Sequence, residues 1–246
     1  MIKLENVEKS FGENQVLRSL DLEIHKSETL VIIGQSGCGK SVLLKHIMGL
    51  LKPEGGRVIV DGVDINQISQ KELYGIRRKF GMVFQSSALF DSLTVGGNVV
   101  LGIRERGNHS EKAMEEICEE KLKLVGLSGS EHLKPAELSG GMKKRAAIAR
   151  ALAMDPEYIL YDEPTTGLDP ITADKINVLI LDLQKRFHKT TIAVTHDMHS
   201  AYKIADRIAM LHGGKVVFQG TPDEVRKSNN AALQQFINGN AEGPIG

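Results

Sequence analysis

The feature that most constrains the fold of this chain is a glycine-rich loop between a strand pattern and a helical pattern. Residues Gly34–Ser41 read GQSGCGKS, which matches the spacing Gly-x4-Gly-Lys-Ser. The preceding run Thr29–Ile33 is almost entirely apolar, as is typical of a buried parallel strand. After Lys40, apolar residues recur at helical spacing. A strand, a glycine loop and a helix in this order predict a phosphate-binding loop in an α/β domain.

The residues of this phosphate loop have the chemistry that the β- and γ-phosphates of a nucleotide need. Glycines let the backbone approach closely with its N–H groups pointing inward, and the N-terminus of the next helix adds partial positive charge. Lys40 is predicted to neutralise phosphate oxygens, and the Ser41 hydroxyl to ligate Mg²⁺. The alternative is a glycine turn before a core helix. The predicted nucleotide-binding residues are Gly34, Gln35, Ser36, Gly37, Cys38, Gly39, Lys40 and Ser41.

Length and composition are those of an ordinary globular domain. The 246 residues are 41% hydrophobic and 25% charged, and 31 basic side chains balance 31 acidic ones. This balance disfavours a basic nucleic-acid-binding module. No apolar run approaches the ~18 residues that span a bilayer, so we expect any membrane contact to go through another subunit. The N-terminal segment lacks the apolar core of a secretory signal, and Cys38 inside the loop fits a reducing compartment.

Strand and helix patterns alternate along most of the chain, which predicts an α/β fold with a mainly parallel sheet. Strand patterns dominate residues 1–60, and alternation resumes after residue 156. The stretch between is mostly helical, with Ser110 as the predicted cap of a charged helix. Thr221–Glu224 is a strong helix start, and a polar tail is predicted from about Asn229. We predict one domain over residues 1–246, with a core at about 1–84 and 156–227, a helical insert at about 85–155 and a tail at 228–246.

A pair of carboxylates follows the predicted strand at residues 158–162. Asp162 and Glu163 come at its C-terminal end, where side chains can reach the ligand crevice of a parallel sheet. Asp162 is predicted to hold Mg²⁺, directly or through water, and Glu163 to orient and deprotonate an attacking water. A solvated turn before Pro164 would explain the pair if it stood alone. Downstream of a phosphate loop, we favour the catalytic interpretation.

Together these motifs resemble those of the nucleotide-binding subunits of ATP-binding-cassette (ABC) proteins, over residues 1–227 and in the usual order of that family. The resemblance implies a P-loop ATPase core with an N-terminal antiparallel β subdomain and a helical insert. It also implies that LSGGM at residues 138–142 is the family's signature segment. There Ser139, Gly140 and Gly141 would bind the γ-phosphate of an ATP held by a second copy, consistent with a helix start as an anion site.

The same resemblance assigns four further residues. It implies that Gln85 senses Mg²⁺ or the attacking water, and that His196 contacts the γ-phosphate and holds Glu163 and the water in line. It implies that Asp169 contacts the active site of the partner copy. Phe11 stands where the family places an aromatic ring against adenine, with a core phenylalanine in a hairpin as the alternative.

Within the family, the stretch from LSGGM to LDP at residues 138–170 is similar to the ATPase of Mla-type phospholipid transport systems. This implies a separate membrane permease, MCE-domain and STAS-domain partners, and a place on the cytoplasmic face of a bacterial inner membrane. Gly96 and Gly97 depart from the similar sequences in the segment that would contact the permease, and each weakens a helix by ~1 kcal/mol.

Three alternative functions are also considered. The ATPase of an amino-acid or other small-solute importer is the main alternative, because such a subunit does not contact the transported substrate and its sequence does not identify that substrate. An ABC-type ATPase acting on nucleic acid is disfavoured by the balanced charge of a single cassette. A catalytically idle regulatory module is disfavoured by the presence of Lys40, Asp162, Glu163 and His196.

Overall fold

In a computed structural model that describes residues 1–107 and 109–245, ten strands and nine α-helices form the fold. The strands are β1 Ile2–Phe11, β2 Asn14–Ile24, β3 Thr29–Ile33, β4 Gly55–Val60, β5 Val63–Asp64, β6 Phe80–Val83, β7 Tyr158–Asp162, β8 Thr190–Thr195, β9 Arg207–His212 and β10 Lys215–Gly220. The helices are α1 Lys40–Ile47, α2 Gln70–Arg77, α3 Val95–Arg106, α4 Glu111–Leu124, α5 Gly140–Ala153, α6 Pro170–Phe187, α7 Met198–Ile204, α8 Pro222–Lys227 and α9 Ala231–Asn238.

The strands form two sheets. The first is antiparallel, in the order β2-β1-β4-β5, and the second has the order β10-β9-β3-β8-β7-β6. All neighbours in the second sheet are parallel except β10 and β9. This arrangement confirms the predicted α/β fold with a mainly parallel sheet and an N-terminal antiparallel part.

Strand β3 is buried on both faces, which explains its apolar sequence. Val31 and Ile33 pack in a cluster with helices α3 to α7 on one face. Leu30 and Ile32 pack with the antiparallel sheet and α1 on the other face. A sheet that is covered on both sides holds its strand ends firmly, and ligands of such sheets bind beyond the carboxyl ends of the strands.

Several helix boundaries agree closely with the sequence patterns. Helix α4 begins after Ser110, whose hydroxyl accepts a hydrogen bond from the Ala113 N–H. Helix α6 begins at Pro170 directly after its N-cap Asp169, and α8 begins with the predicted capping box of Thr221 and Glu224. Helices α3, α4 and α5 lie in the segment between β6 and β7 that was predicted to be helical.

Two helices were not predicted. Helix α2 begins with a capping box of Ser69 and Glu72, a pattern that was present in the sequence. Helix α9 lies inside the segment predicted to be a polar tail, and it buries Leu233. Ile245 is also buried, at 4% exposure, so the tail prediction is wrong for this stretch; Gly246 lies outside the described residues. None of the described helices combines the length and apolarity that crossing a membrane requires.

Candidate nucleotide site

The phosphate loop, Gly34–Ser41, joins β3 to α1 at the carboxyl edge of the parallel sheet. A Cβ atom at Gly34 would lie 2.4 Å from the Leu211 carbonyl oxygen, and Gly34 has a φ of +155°. A Cβ atom at Gly39 would lie 2.9 Å from the Val16 side chain, and φ there is +105°. Close approach and positive φ therefore require glycine at both positions. Cys38 is half-buried in the same loop, and burial raises the pKa of its thiol.

Lys40 lies across the mouth of this loop. Its side chain is 6% exposed, and its ammonium group donates hydrogen bonds to the carbonyls of Gly34 (2.7 Å) and Gln35 (3.0 Å). The same Nζ atom is 3.7 Å from Oε1 of Glu163. The loop, its lysine and the carboxylate after β7 thus form one cluster, as the motifs predicted. The side-chain N–H of Gln35 also donates to the carbonyl of Ile245, at 3.3 Å.

Ser41 and Asp162 supply neighbouring oxygen atoms of the kind that Mg²⁺ prefers. The Ser41 hydroxyl donates to Oδ1 of Asp162 at 2.9 Å. Burial raises the pKa of Asp162, while the Ser41 hydrogen bond and the charge of Lys40 act in the opposite direction. In the part of the chain that the structure describes, no cluster of three or more His, Cys, Asp or Glu could hold a metal. Because the Ser41 hydroxyl and the Asp162 carboxylate are oxygen donors, this pair fits an Mg²⁺ whose remaining ligands would be phosphate oxygens and water.

Glu163 is the most densely surrounded carboxylate of the site. It is 8% exposed, and its Oε2 accepts hydrogen bonds from the hydroxyls of Thr166 (3.0 Å) and Thr195 (3.4 Å). Nδ1 of His196 lies 2.9 Å from the same oxygen. The structure thus places His196 beside the predicted base, where the family resemblance implied that it would lie. Thr166 and Thr195 were not singled out, although a threonine at the end of an apolar strand beside His196 was visible in the sequence.

Gln85, Phe11 and Asp169 lie at the margins of this cluster. Gln85 comes two residues after β6, and its side chain is exposed. Phe11 is 48% exposed, with Nζ of Lys9 at 5.3 Å from its ring centroid, so the alternative of a core phenylalanine is wrong. Oδ1 of Asp169 accepts the N–H groups of Ile171 (3.1 Å) and Thr172 (3.0 Å), which makes Asp169 the N-cap of α6.

The signature segment lies at the start of α5. The Ser139 hydroxyl caps this helix by accepting a hydrogen bond from the Met142 N–H at 3.3 Å. Gly140 is exposed, whereas a Cβ atom at Gly141 would lie 2.6 Å from Cγ2 of Thr172. No hydrogen bond in the described part of the chain joins Ser139 to Lys40 or Glu163.

Comparison with protein families agrees with this geometry. The model of the family described as "ABC transporter" matches residues 17–166 of the chain. This range includes the phosphate loop, the signature segment and the two carboxylates Asp162 and Glu163 at the end of β7.

Three related proteins match this chain over nearly its whole length. A probable ribonucleotide transport ATP-binding protein, mkl, of Mycobacterium leprae is 42% identical, over 100% of this chain and 71% of that protein. The intermembrane phospholipid transport system ATP-binding protein MlaF of Haemophilus influenzae is 40% identical, over 100% of this chain and 93% of that protein. A methionine import ATP-binding protein, MetN, of Carboxydothermus hydrogenoformans is 42% identical, over 92% of this chain and 67% of that protein.

A solved structure has the same fold. An ATP-binding cassette, determined as a dimer in a post-hydrolysis state with ADP and phosphate, superposes with a TM-score of 0.82 at 39% identity. The match covers 90% of this chain and 99% of that cassette.

Proposed function

This chain belongs to the ABC transporter family and is one of its ATPase subunits, and on that premise we propose that it drives phospholipid transport through a separate membrane permease. The observation that carries the proposal is the match with the Haemophilus influenzae protein, which covers 100% of this chain and 93% of that protein. The relatives named for ribonucleotide and methionine transport are longer, since the chain covers 71% and 67% of them. Of the three relatives described above, the match covers the phospholipid ATPase most completely.

In this proposal the phosphate loop binds ATP. Its N–H groups and the Lys40 ammonium hold the β- and γ-phosphates, and Ser41 and Asp162 hold Mg²⁺. The ion would neutralise charge that develops on the phosphate oxygens. Phe11 is exposed at the end of β1, where its ring is free to stack on the adenine.

Glu163 is the proposed general base, and its surroundings indicate which oxygen takes the proton. Oε2 accepts hydrogen bonds from two threonine hydroxyls and lies 2.9 Å from His196. Oε1 has the Lys40 ammonium at 3.7 Å. Since Oε2 is already occupied by donors, we assign the proton from the attacking water to Oε1. Gln85 is proposed to orient that water or Mg²⁺.

The site is proposed to be complete only in a dimer. The solved cassette with ADP and phosphate is dimeric. We propose that Ser139 and the N–H groups of Gly140 and Gly141 of a second copy bind the γ-phosphate, and that Asp169 lies at the same interface. Two bound ATP molecules would hold the copies together, and hydrolysis would let them separate.

The permease is proposed to dock in a groove of the helical segment. This groove has a volume of about 650 Å³ and is lined by α3, α4 and the chain before α5. A Cβ atom at Gly96 would lie 3.1 Å from the Glu131 carbonyl oxygen, so glycine lets the start of α3 pack closely against the wall of this groove. We propose that the subunit works in this way on the cytoplasmic face of the membrane, with MCE-domain and STAS-domain proteins as further partners.

The test is to purify the complex from native membranes. The tagged full chain is extracted in mild detergent, and the proteins and lipids that accompany it are identified by mass spectrometry. A mock purification from untagged cells is the control. A permease with an MCE-domain protein and enriched phospholipid is the expected result.

The second candidate function is import of a small solute. It is favoured by the 42% identity to relatives named for ribonucleotide and methionine transport. In the same purification, a permease with a soluble solute-binding protein and no enriched lipid would establish this candidate instead. Recovery with no membrane protein at all would reject both forms of transport.

A further inference from the structure

A buried lysine on α5 lies behind the proposed hydrolytic carboxylate. Lys144 is 4% exposed. Its ammonium group donates to the main-chain carbonyl of Gln85 at 2.5 Å and to that of Glu163 at 3.3 Å. Lysine is almost never fully buried without partners, because removing an ammonium group from water is costly. The burial of Lys144 therefore calls for an explanation other than packing of its side chain.

Both acceptors of Lys144 are neutral carbonyl groups. Burial lowers the pKa of its ammonium group, whereas the nearby charges of Glu163 and Asp162 raise it. The two carboxylates of the nucleotide site thus help to keep this lysine charged. An ammonium group placed between two carbonyls and two nearby carboxylates fixes the distance between the strand end and the loop after β6.

The two backbone segments that Lys144 contacts include residues in an unfavourable conformation. Glu163 has a φ of +49°, and in the loop after Gln85 the φ angles of Ser87 and Ala88 are +65° and +47°. Residues other than glycine rarely adopt this left-handed backbone conformation, so contacts with the surrounding structure must maintain it. Arg150, six residues further along α5, donates to the carbonyls of Ser87 (2.8 Å) and Ala88 (2.5 Å). One helix therefore holds both strained segments through their carbonyl oxygens.

We propose that Lys144 is a positioning residue for ATP hydrolysis. Its ammonium group fixes the main chain of Glu163 and Gln85 and thereby sets where the Glu163 carboxylate and the Gln85 side chain point. The inference rests on the proposed role of Glu163 as the base. Because α5 begins at the signature segment, the same contact connects this chain's own base to the helix that is proposed to complete the site of the second copy.

The test measures catalysis and binding separately in the full chain. Hydrolysis is followed at protein concentrations where the rate per chain no longer rises, and the ATP Kd is measured by competition with a fluorescent analogue. In Lys144→Met, kcat is expected to fall at least about tenfold while the ATP Kd changes less than about threefold. Lys144→Arg, which restores a cation with several donors, is expected to recover part of kcat.

Two further variants make the result decisive. Lys143→Met removes the same charge from the adjacent position, and its kcat is expected to stay within about twofold of wild type. Lys144→Gln keeps N–H donors without the charge and replaces the Met variant if that variant does not fold. A wild-type kcat in Lys144→Met, or in Lys144→Gln where it is the substitute, overturns the proposal, as does an equal loss in Lys143→Met. Glu163→Gln is measured alongside, because full activity in that variant would reject Glu163 as the base and hence the proposed function instead.

Discussion

Nδ1 of His196 lies 2.9 Å from Oε2 of Glu163, at the ends of two adjacent parallel strands, β8 and β7. Glu163 is buried, whereas the His196 ring is about half exposed. The exposed part of the ring is therefore open to the proposed γ-phosphate contact. His196 therefore shares the positioning of the Glu163 carboxylate with the hydroxyls of Thr166 and Thr195.

Replacement of His196 by alanine is expected to impair hydrolysis more than binding. The variant loses the group beside Oε2 and the proposed γ-phosphate contact, so we expect kcat to fall about 100-fold. The ATP Kd is expected to change little, because Lys40 and the loop amides remain. Steady-state hydrolysis and equilibrium nucleotide binding measure the two effects. A larger change in Kd than in kcat would contradict the assigned role.

Glu163→Gln and Lys40→Ala are expected to fail at different steps. Without a base, Glu163→Gln should bind ATP and accumulate as a closed dimer. Lys40→Ala removes the cation that crosses the loop and should lose nucleotide affinity. Size-exclusion chromatography with light scattering, with and without ATP, distinguishes them. Brisk turnover by Glu163→Gln would reject the assigned base, and ATP-induced dimers of Lys40→Ala would reject the assigned phosphate contact.

Part of the site could be predicted from sequence because its residues are local. The glycines of the phosphate loop, Lys40 and Ser41 lie within eight consecutive residues, and close approach with positive φ requires glycine at Gly34 and Gly39. Lys144 could not be assigned in this way, because its contacts with Gln85 and Glu163 span 59 and 19 residues of sequence. A lysine in a helix is ordinarily solvated, and only the packing of α5 shows that this one is buried.

Local sequence patterns likewise predicted only part of the fold. Strands such as β3 and β8 could be predicted because burial on both faces requires an apolar run of residues. Helix α9 was missed because its short apolar pattern stands among Asn and Gly, and only tertiary packing buries Leu233 and Ile245. The contact of Ile245 with Gln35 likewise joins residues 210 positions apart, which no local pattern reveals.

Asp61 is expected to make stability depend on pH. Burial raises the pKa of its carboxyl group, but hydrogen bonds from Lys79 and Tyr158 outweigh burial and hold that pKa well below its usual range. A carboxyl group with a lowered folded pKa stabilises the protein above its unfolded pKa and loses that contribution as pH falls further.

Replacement of Asp61 by asparagine is therefore expected to lower the free energy of unfolding by about 1 kcal/mol at neutral pH. The difference from wild type should stay constant down to about pH 4 and shrink below it. Urea unfolding of both proteins at several pH values measures this. A difference that does not change below pH 4 would show that the charge of Asp61 is not the cause.

A glycine at position 141 could serve packing against Thr172 or binding of the second copy's γ-phosphate, and Gly141→Ala helps to separate these two roles. The added methyl group would lie 2.6 Å from Cγ2 of Thr172, so we expect a loss of about 1–2 kcal/mol in the free energy of unfolding. Thr172→Ser removes the opposing methyl group, and the double variant should recover stability in urea unfolding. Its hydrolysis should stay low, because the methyl group still blocks close approach of the second copy's γ-phosphate to the backbone N–H. With Thr172→Ser alone as the control, recovery of hydrolysis in the double variant would mean that Gly141 serves packing and not phosphate binding.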